Sequence, residues 1–237
     1  HPRLVGIPKP NVEAEVNGTR IRHNAFGFRG DETSIETAPG VTRIVALGGS
    51  STYCIKVSND ETWPFYLNET LGRGFAVFNL GVPAYSSAEH VIQAAYLVPD
   101  LKPHYVLVYA GWNDVPNAHV AGLAPDYSNF FTGKLYQSLG LPTEIVKGTH
   151  FIASVRTLTT LLQDAGLIHE FPGQNPMLKE ERSGDIDERA LEIYERNLRS
   201  LIALVRMHGA EPVLIPQIMN YVRLRGSGRY GWFPFVS

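Results

Sequence analysis

The sequence has little cysteine, little excess charge and no long apolar run. Cys54 is the single cysteine, so no disulfide can form within the chain and the redox compartment is not constrained. The formal net charge is −2, which argues against a nucleic-acid-binding surface and a polybasic membrane contact. No apolar run reaches the length that crosses a bilayer. With 237 residues, the chain suits one domain with a sizeable core, or one domain with a large insertion.

No signal peptide is visible at the start of the sequence. The chain begins at His1 without a methionine, so a signal or anchor that precedes His1 is compatible with it. We therefore expect membrane contact only through such an anchor. The location and the oligomeric state stay open, with an extracytoplasmic protein, secreted or membrane-anchored, as the expectation.

Four short runs have the composition of strands that are buried on both faces of a parallel sheet, because they are continuously apolar and rich in β-branched or aromatic residues. The predicted strands are 43–47, 75–79, 105–110 and 212–216. The predicted helices are 62–71, 87–97, 151–165 and 185–208. The last helix has the clearest three-to-four apolar spacing and ends before Gly209. This alternation predicts right-handed crossovers and a three-layer α/β/α sandwich.

Two regions stand outside the alternation. Residues 1–40 are polar and rich in proline and glycine, and they predict an extended N-terminal leader packed on the core. The domain 41–237 contains a long insertion at 115–184, which leaves from the carboxyl end of the third predicted strand. That insertion could form a lid or a substrate wall, and a packed accessory subdomain is an equally good interpretation of its length.

Three short polar segments each follow directly on a predicted strand: Gly48–Thr52, Asn79–Gly81 and Gly111–Asp114. The carboxyl ends of parallel neighbours share an edge, and open α/β sheets bind ligands there. We therefore expect the Ser50 hydroxyl, the Gly81 N–H and the Asn113 amide to converge. These groups are a nucleophile and two oxyanion donors, the minimum that acyl transfer requires.

Each segment also has a simpler interpretation. Ser50 after two glycines fits an ordinary tight turn, and Asn113 with Asp114 fits a turn or a helix cap. Gly-rich turns also bind phosphate, but the P-loop lysine and the G-x-G-x-x-G spacing are both missing here. The G-x-S-x-G elbow is absent as well, since Thr52 occupies the place of its last glycine. The ordered set of three favours the catalytic interpretation over any single segment.

The segments resemble, in order, the sequence blocks of the SGNH hydrolase superfamily, also called GDSL esterases and lipases. The first block, usually Gly-Asp-Ser, is Gly-Gly-Ser at 48–50; the second is Asn79–Gly81; and the third, Gly-x-Asn-Asp, is intact at 111–114. Residues 24–30 resemble the leader of bacterial members. The last predicted helix and strand also resemble those of the family, at Tyr194, Asn197, Leu198 and 209–214.

This resemblance implies a sandwich with a flavodoxin-like parallel sheet and a serine esterase activity. Ser50 would be the nucleophile, and the N–H groups of Ser50 and Gly81 with the Asn113 amide would form the oxyanion hole. The implied substrate is a small-molecule or carbohydrate acyl ester, with O-acetyl groups on carbohydrate as the leading candidate. The family needs no metal or organic cofactor, and no nucleic-acid partner is expected.

One departure from the family is serious, because its base and acid lie in an Asp-x-x-His block that this sequence lacks. A serine hydroxyl without a base is a poor nucleophile at neutral pH. Two histidines, His104 and His208, precede predicted strands and are therefore expected at the opposite edge of the sheet. Four others follow strands, although nothing in their surroundings singles one out: His90, His119, His150 and His169.

Three explanations of the missing block stay open. The sequence lacks a C-terminal segment, which is the explanation we favour; a histidine of the insertion is the base; or the chemistry is lost and a carbohydrate- or acyl-binding module remains. A phosphate-binding, flavodoxin-like protein is the third function considered.

Overall fold

The computed structural model describes residues 7–16, 18–31, 39–119, 125 and 188–217. Contacts divide the chain into two compact units, and the sheet and the candidate site belong to the unit formed by 6–115 and 192–237. The predicted helix at 151–165 lies outside the described residues, and so do His150 and His169. The division into a leader, a domain and an insertion stays a prediction.

The N-terminal region contains a β-hairpin that the sequence analysis did not predict. Strands β1 (Val12–Val16) and β2 (Thr19–His23) pair antiparallel, and Gly18 in the connection has a φ of +77°. The signal was available in the sequence, because an Asn-Gly pair between β-prone residues is typical of a two-residue hairpin turn. Proline and glycine elsewhere in 1–40 obscured it.

Four parallel strands form the central sheet, as the apolar runs predict: β3 (Thr42–Gly48), β4 (Phe75–Asn79), β5 (Tyr105–Tyr109) and β6 (Glu211–Leu214). Their spatial order is β4-β3-β5-β6, and every neighbouring pair is parallel. Counted among the parallel strands alone, this is the order 2-1-3-4 of flavodoxin-like sheets. The predicted α/β fold with a parallel sheet is confirmed.

The register of the sheet aligns the three polar segments at one edge. Ala46 of β3 is paired with Asn79 of β4, and Gly48 is paired with Tyr109 of β5. The chain leaves β3 toward β4 on one side and later enters β5 on the other. The topological switch point, where such sheets bind ligands, therefore lies between the loops that follow β3 and β5. These two loops carry Ser50 and Asn113.

The described helices are α1 (Ser50–Tyr53), α2 (Trp63–Leu71), α3 (Ser87–Tyr96), α4 (Val98–Leu101) and α5 (Glu188–Met207). Of these, α2, α3 and α5 lie where the periodicity predicts helices. Two 3₁₀ segments span Asn59–Glu61 and Trp112–His119. Of these elements, α1, α4 and the 3₁₀ segments were not predicted, because the shorter ones give too little periodicity to detect. No described helix combines the length and apolarity of a membrane span.

Local sequence explains where the longer helices begin and end. The Thr62 hydroxyl accepts from the Phe65 N–H at the start of α2, which has Pro64 in its first turn. Ser86 and Glu89 form a reciprocal capping box at the start of α3. Gly209, with a φ of +78°, lies just after α5, and its N–H donates to Arg206 O.

The core lies against the central strands. Val45 and Leu47 of β3 and Val106 and Val108 of β5 are all buried. The same apolar cluster includes side chains from β4, α3, α4 and α5: Phe78, Ala94, Val98, Leu101, Leu201 and Val205. This packing fixes the sheet rigidly beneath the loops at its carboxyl edge, which is the requirement for a site built from several loops.

Candidate active site

Ser50 stands at the turn between β3 and α1. It is the first residue of the helix and is partly exposed. The N–H groups of Thr52 and Tyr53 form the first turn of the helix by donating to Gly49 O. The first N–H groups of a helix have no acceptor within it. Neither the Ser50 hydroxyl nor its N–H has a hydrogen-bond partner among the residues described here. Both groups are therefore available to a substrate.

Two glycines allow α1 to pack tightly onto the edge of the sheet. A methyl group at Gly48 would collide with Thr52 Oγ1 and lie 2.6 Å from Tyr109 O. A methyl group at Gly81 would collide with Tyr53 N and lie 2.7 Å from Thr52 C. Real Cβ atoms do not approach backbone atoms this closely. The loop after β4 therefore lies directly against the helix that begins with Ser50.

The third block meets the first block at Gly49. A methyl group there would lie 2.5 Å from Asn113 Nδ2, so the Asn113 amide occupies the space beside the residue that precedes Ser50. The same amide donates to Tyr85 O at 2.8 Å. An amide nitrogen carries two hydrogens, and this bond uses one of them. The structure thus brings the Asn113 amide to Gly49, the residue before Ser50, with one N–H left for a further acceptor.

Gly81 is also brought to this place, but its N–H has an acceptor already. It donates to Asn79 Oδ1 at 2.9 Å, and Asn79 Nδ2 donates to Thr52 O at 2.9 Å. The Gly81 N–H can therefore reach an oxyanion only by sharing its hydrogen between two acceptors, as in three-centre bonds. Asn79 is buried and links the second block to α1, a role that the sequence analysis did not assign.

Asp114 is buried at the amino end of α3. Its two carboxylate oxygens accept from the Ser87 N–H at 3.1 and 3.0 Å, and the Ser87 hydroxyl lies 2.5 Å from Oδ1. A carboxylate is stabilised at a helix N-terminus by the exposed N–H groups and the helix dipole. Asp114 therefore binds the amino end of a helix that is distant in sequence, and this role coexists with the placement of Asn113 beside Gly49.

His90 is a core residue in this structure. It is fully buried, and burial lowers its pKa to about 4 although a bond to Gln93 opposes the shift. Its Nδ1 lies 2.8 Å from Gln93 Oε1, and Gln93 Nε2 donates to Leu80 O at 2.9 Å. The imidazole is thus neutral at neutral pH and supports the Leu80–Gly81 peptide from behind.

His104 and His208 lie away from Ser50, as their positions in the sequence predict. His104 Nδ1 accepts from Arg43 N at 3.0 Å, at the amino end of β3, so its predicted place at the opposite edge is confirmed. His208 follows α5 and precedes β6, which agrees with the same prediction. His119 ends the 3₁₀ segment Trp112–His119. It stays a candidate for the catalytic base only because it follows β5.

His23, which the sequence analysis overlooked, binds α1 to the hairpin. Its Nδ1 lies 3.0 Å from Lys9 O, and because a carbonyl only accepts, the proton is on Nδ1. Its Nε2 therefore accepts from the Tyr53 hydroxyl at 2.7 Å. Arg29 lies over the Tyr53 ring at 4.6 Å and donates to Val57 O at 2.7 Å. These contacts hold Tyr53, three residues after Ser50, from two sides.

Cys54 does not compete with Ser50 as a nucleophile. It is partly exposed, and burial raises the pKa of its thiol, which keeps it protonated at neutral pH. Its Sγ donates to Ser51 O at 3.3 Å.

A cleft of about 700 Å³ lies beside α1 and the loop after Gly81. Its walls come from the hairpin, the residues before it, α1 with the turn that follows, and the loop after β4: Ile7, Pro8, Thr19, Ile21, His23, Tyr53, Ile55, Lys56, Val82 and Pro83. Six of these residues are apolar, so the cleft suits an apolar group. Within the described ranges, no three His, Cys, Asp or Glu side chains are grouped to hold a metal ion.

Comparisons with known proteins return only distant likenesses. No protein family and no curated protein matches the sequence. Among solved structures, TesA is 18% identical with a TM-score of 0.33, over 72% of this chain and 77% of TesA. AlinE4, an esterase of the SGNH-hydrolase family, is 18% identical with a TM-score of 0.32, over 75% of this chain and 77% of its own.

A GDSL-like lipase from Bacteroides thetaiotaomicron is 19% identical with a TM-score of 0.30, over 73% of this chain and 68% of the lipase. At these identities and scores the likenesses carry no argument about activity, which has to come from the residues at the carboxyl edge of the sheet. This chain is similar to the SGNH and GDSL esterases and lipases in the order of its motifs and, distantly, in fold.

Proposed function

We propose that this protein is a serine ester hydrolase in which Ser50 attacks the carbonyl carbon of an acyl ester. The observation that carries the proposal is the contact between Gly49 and the Asn113 amide, which puts an N–H donor beside the serine. The partly exposed position of Ser50 at a helix N-terminus supports the same role. The alternative nucleophile, Cys54, has a raised thiol pKa.

In the proposed reaction, a bond forms between Ser50 Oγ and the carbonyl carbon while a base takes the hydroxyl proton. The oxyanion of the tetrahedral intermediate accepts from the Ser50 N–H, the free Asn113 N–H and the shared Gly81 N–H. Collapse of the intermediate expels the alcohol, which takes up the proton, and leaves an acyl-serine. Water then releases the acid by the reverse sequence. The base is not among the described histidines whose contacts are known.

The substrate class follows from the walls beside the site. The cleft is mainly apolar and therefore supports an apolar acyl or alcohol group, whereas an O-acetyl group on carbohydrate needs polar contacts for the sugar. Lys56 and Thr19 supply such contacts on the wall, whereas the polar groups of His23 and Tyr53 are bonded to each other. We therefore rank simple acyl esters above acetylated carbohydrate as substrates.

The test is hydrolysis of p-nitrophenyl acetate by the 237-residue chain and three single variants. Ser50→Ala should reduce turnover to background, and Asn113→Ala should reduce kcat on the order of a hundredfold. Ser51→Ala is the matched control, because Ser51 is the exposed neighbour of Ser50. If Ser50→Ala keeps full turnover, or Ser51→Ala loses as much, then Ser50 is not the nucleophile.

A second candidate is a catalytically inactive acyl- or carbohydrate-binding module. The observation that favours it is that Gly81 and Asn113 already donate to Asn79 and Tyr85, as groups do in a binding loop that is fixed for recognition. This module would bind an ester with an affinity that Ser50→Ala leaves unchanged, and it would show no turnover. Calorimetric titration of the wild type and Ser50→Ala with a non-hydrolysable amide analogue separates the two functions.

A further inference from the structure

Helix α5 contacts Ser87, the residue that binds Asp114, although it lies far from both in the sequence. Asn197 of α5 is buried, with 5% of its surface exposed, and its Nδ2 donates to the hydroxyl of Ser87 at 3.0 Å. Ser87 is completely buried and is the residue whose N–H and hydroxyl meet Asp114. Three polar side chains from three different elements therefore form one buried chain of hydrogen bonds.

The orientation of the Asn197 amide is fixed by its neighbour on the helix. The Arg196 guanidinium lies against Asn197 Oδ1, with Nη2 at 2.8 Å and Nε at 3.3 Å. A guanidinium can only donate, so the atom that faces Arg196 is the amide oxygen. The atom that faces Ser87 is therefore the nitrogen, which donates.

This orientation gives the hydrogen-bond chain a direction. Because Ser87 Oγ accepts from Asn197, its own proton is directed to Asp114 Oδ1, 2.5 Å away. Charge-assisted bonds to a carboxylate are the stronger ones, and bonds in a chain reinforce one another in a buried environment. Asp114 is thus held by both the N–H and the O–H of Ser87, and Asn113 is the adjacent residue in the chain.

The same face of α5 contacts the other end of the turn. A methyl group at Gly111 would lie 2.7 Å from the Tyr194 hydroxyl, so the turn passes directly over that side chain. Gly111 has a φ of +121°, a conformation that other residues rarely adopt. Tyr194 and Asn197 are three residues apart and therefore lie on one face of the helix. Helix α5 therefore contacts the turn directly at Gly111 and reaches Asp114 through Ser87.

We propose that Asn197 is a positioning residue for Asn113: through Ser87 and Asp114 it fixes the turn that places the Asn113 amide beside Ser50. The kinetic part of this inference, an effect on kcat, rests on the proposed function. The structural part, the placement of Asn113, rests on the geometry alone. Asn197 touches no reacting atom. Its effect on turnover passes entirely through Asn113.

The kinetic test is a double-mutant cycle in the full chain. Asn197→Leu, which is close in volume and cannot donate, should lower kcat about tenfold with KM unchanged, because small displacements of a catalytic group are costly. Asn197→Asp keeps the shape and, as an ionised carboxylate, cannot donate; because it also adds a charge near Asp114, its loss should be at least as large. In the Asn113→Ala background neither variant should lower kcat further.

The control is Ser200→Ala, which removes an exposed hydroxyl that donates to Arg196 O on the same helix. It should leave kcat unchanged in both backgrounds. If the fold-losses in kcat from Asn197→Leu and Asn113→Ala multiply in the double variant, the proposal is overturned. Multiplication would mean that Asn197 affects kcat independently of Asn113, as a general structural effect would. An effect on KM alone would overturn it as well.

A second readout does not depend on turnover. The side-chain amide signals of Asn113 in a ¹H–¹⁵N NMR spectrum can be assigned by their loss in Asn113→Ala. We expect them to shift in Asn197→Leu and to stay in place in Ser200→Ala. If they do not move in Asn197→Leu, then Asn197 does not position Asn113. Lack of Ser50-dependent turnover in the wild type would reject the proposed function, and the NMR result would still decide the placement of Asn113.

Discussion

The loop after β3 and the turn after β5 reach the same edge of the sheet by opposite means. The first is held by the absence of side chains, because methyl groups at Gly48, Gly49 or Gly81 would collide with neighbouring atoms. The second is held by buried polar side chains, above all the bonds between Asp114 and Ser87. The first loop therefore depends on close approach, which an added methyl group disturbs. The second depends on hydrogen bonds, which tolerate no lost partner.

The largest effect should come from adding a methyl group at Gly81, in the loop after β4, which packs against α1. Gly81→Ala places Cβ against Tyr53 N and Thr52 C, which are backbone atoms that cannot rotate away. We expect a loss of about 3 kcal/mol or more in the free energy of unfolding, at the upper end of overpacking costs. Urea denaturation measures it.

The matched control for this change is Gly74→Ala, because a methyl group at Gly74 meets no atom within 4 Å. Gly74→Ala should change the free energy of unfolding by less than about 1 kcal/mol, as surface substitutions generally do. Equal losses from the two alanines would show that the loop is not closely packed against α1.

Acid should weaken the support behind the same loop. His90 has a folded-state pKa of about 4, below its ordinary value of 6.5, so between these pH values the unfolded chain binds more protons than the folded one. Stability therefore rises with pH across this window, is fully present above pH 6.5, and is lost as the pH falls toward 4. At roughly 1.4 kcal/mol per pKa unit, the loss is about 3 kcal/mol.

The measurement is the free energy of unfolding of the wild type and of His90→Gln between pH 4 and pH 7. The difference between the two proteins is needed because burial raises the pKa of Glu89, whose contribution runs in the opposite direction. We expect the difference to shrink as the pH falls. A difference that is constant across the window would mean that His90 does not titrate as a buried neutral imidazole.

The comparison of the two loops also explains what the sequence could predict. The loop after β3 was predicted to lie at the ligand edge, because Gly48 and Gly49 follow an apolar run and glycines after a strand indicate a tight turn. The central strands were predicted for the same reason, since continuous apolar runs indicate burial on both faces.

The polar network was not predicted, because its partners are distant in sequence. Ser87 is separated from Asp114 by 27 positions and from Asn197 by 110 positions, and no local pattern connects them. Asn197 was visible only as part of a resemblance in the last helix. Likewise, the bond between Asn79 and the Gly81 N–H depends on a side-chain rotamer that the Asn-Leu-Gly segment does not specify.

Gly49 lies where the two loops meet, and Gly49→Ala should lower kcat far more than it lowers the free energy of unfolding. Its φ of −82° is negative, so Gly49→Ala carries no penalty for a left-handed backbone. The atom that the methyl group meets is Asn113 Nδ2, at the free end of a side chain that can move. We expect a stability loss of about 1 kcal/mol, at the low end of overpacking costs.

The effect of Gly49→Ala on turnover should be far larger, because the displaced atom is the proposed oxyanion donor. A fall in kcat of at least tenfold, and up to the hundredfold expected for Asn113→Ala, would agree with this placement. Adding Gly49→Ala to Asn113→Ala should then cost little more, since the amide that it displaces is already gone. If Gly49→Ala leaves kcat unchanged, the contact between the two loops plays no part in catalysis.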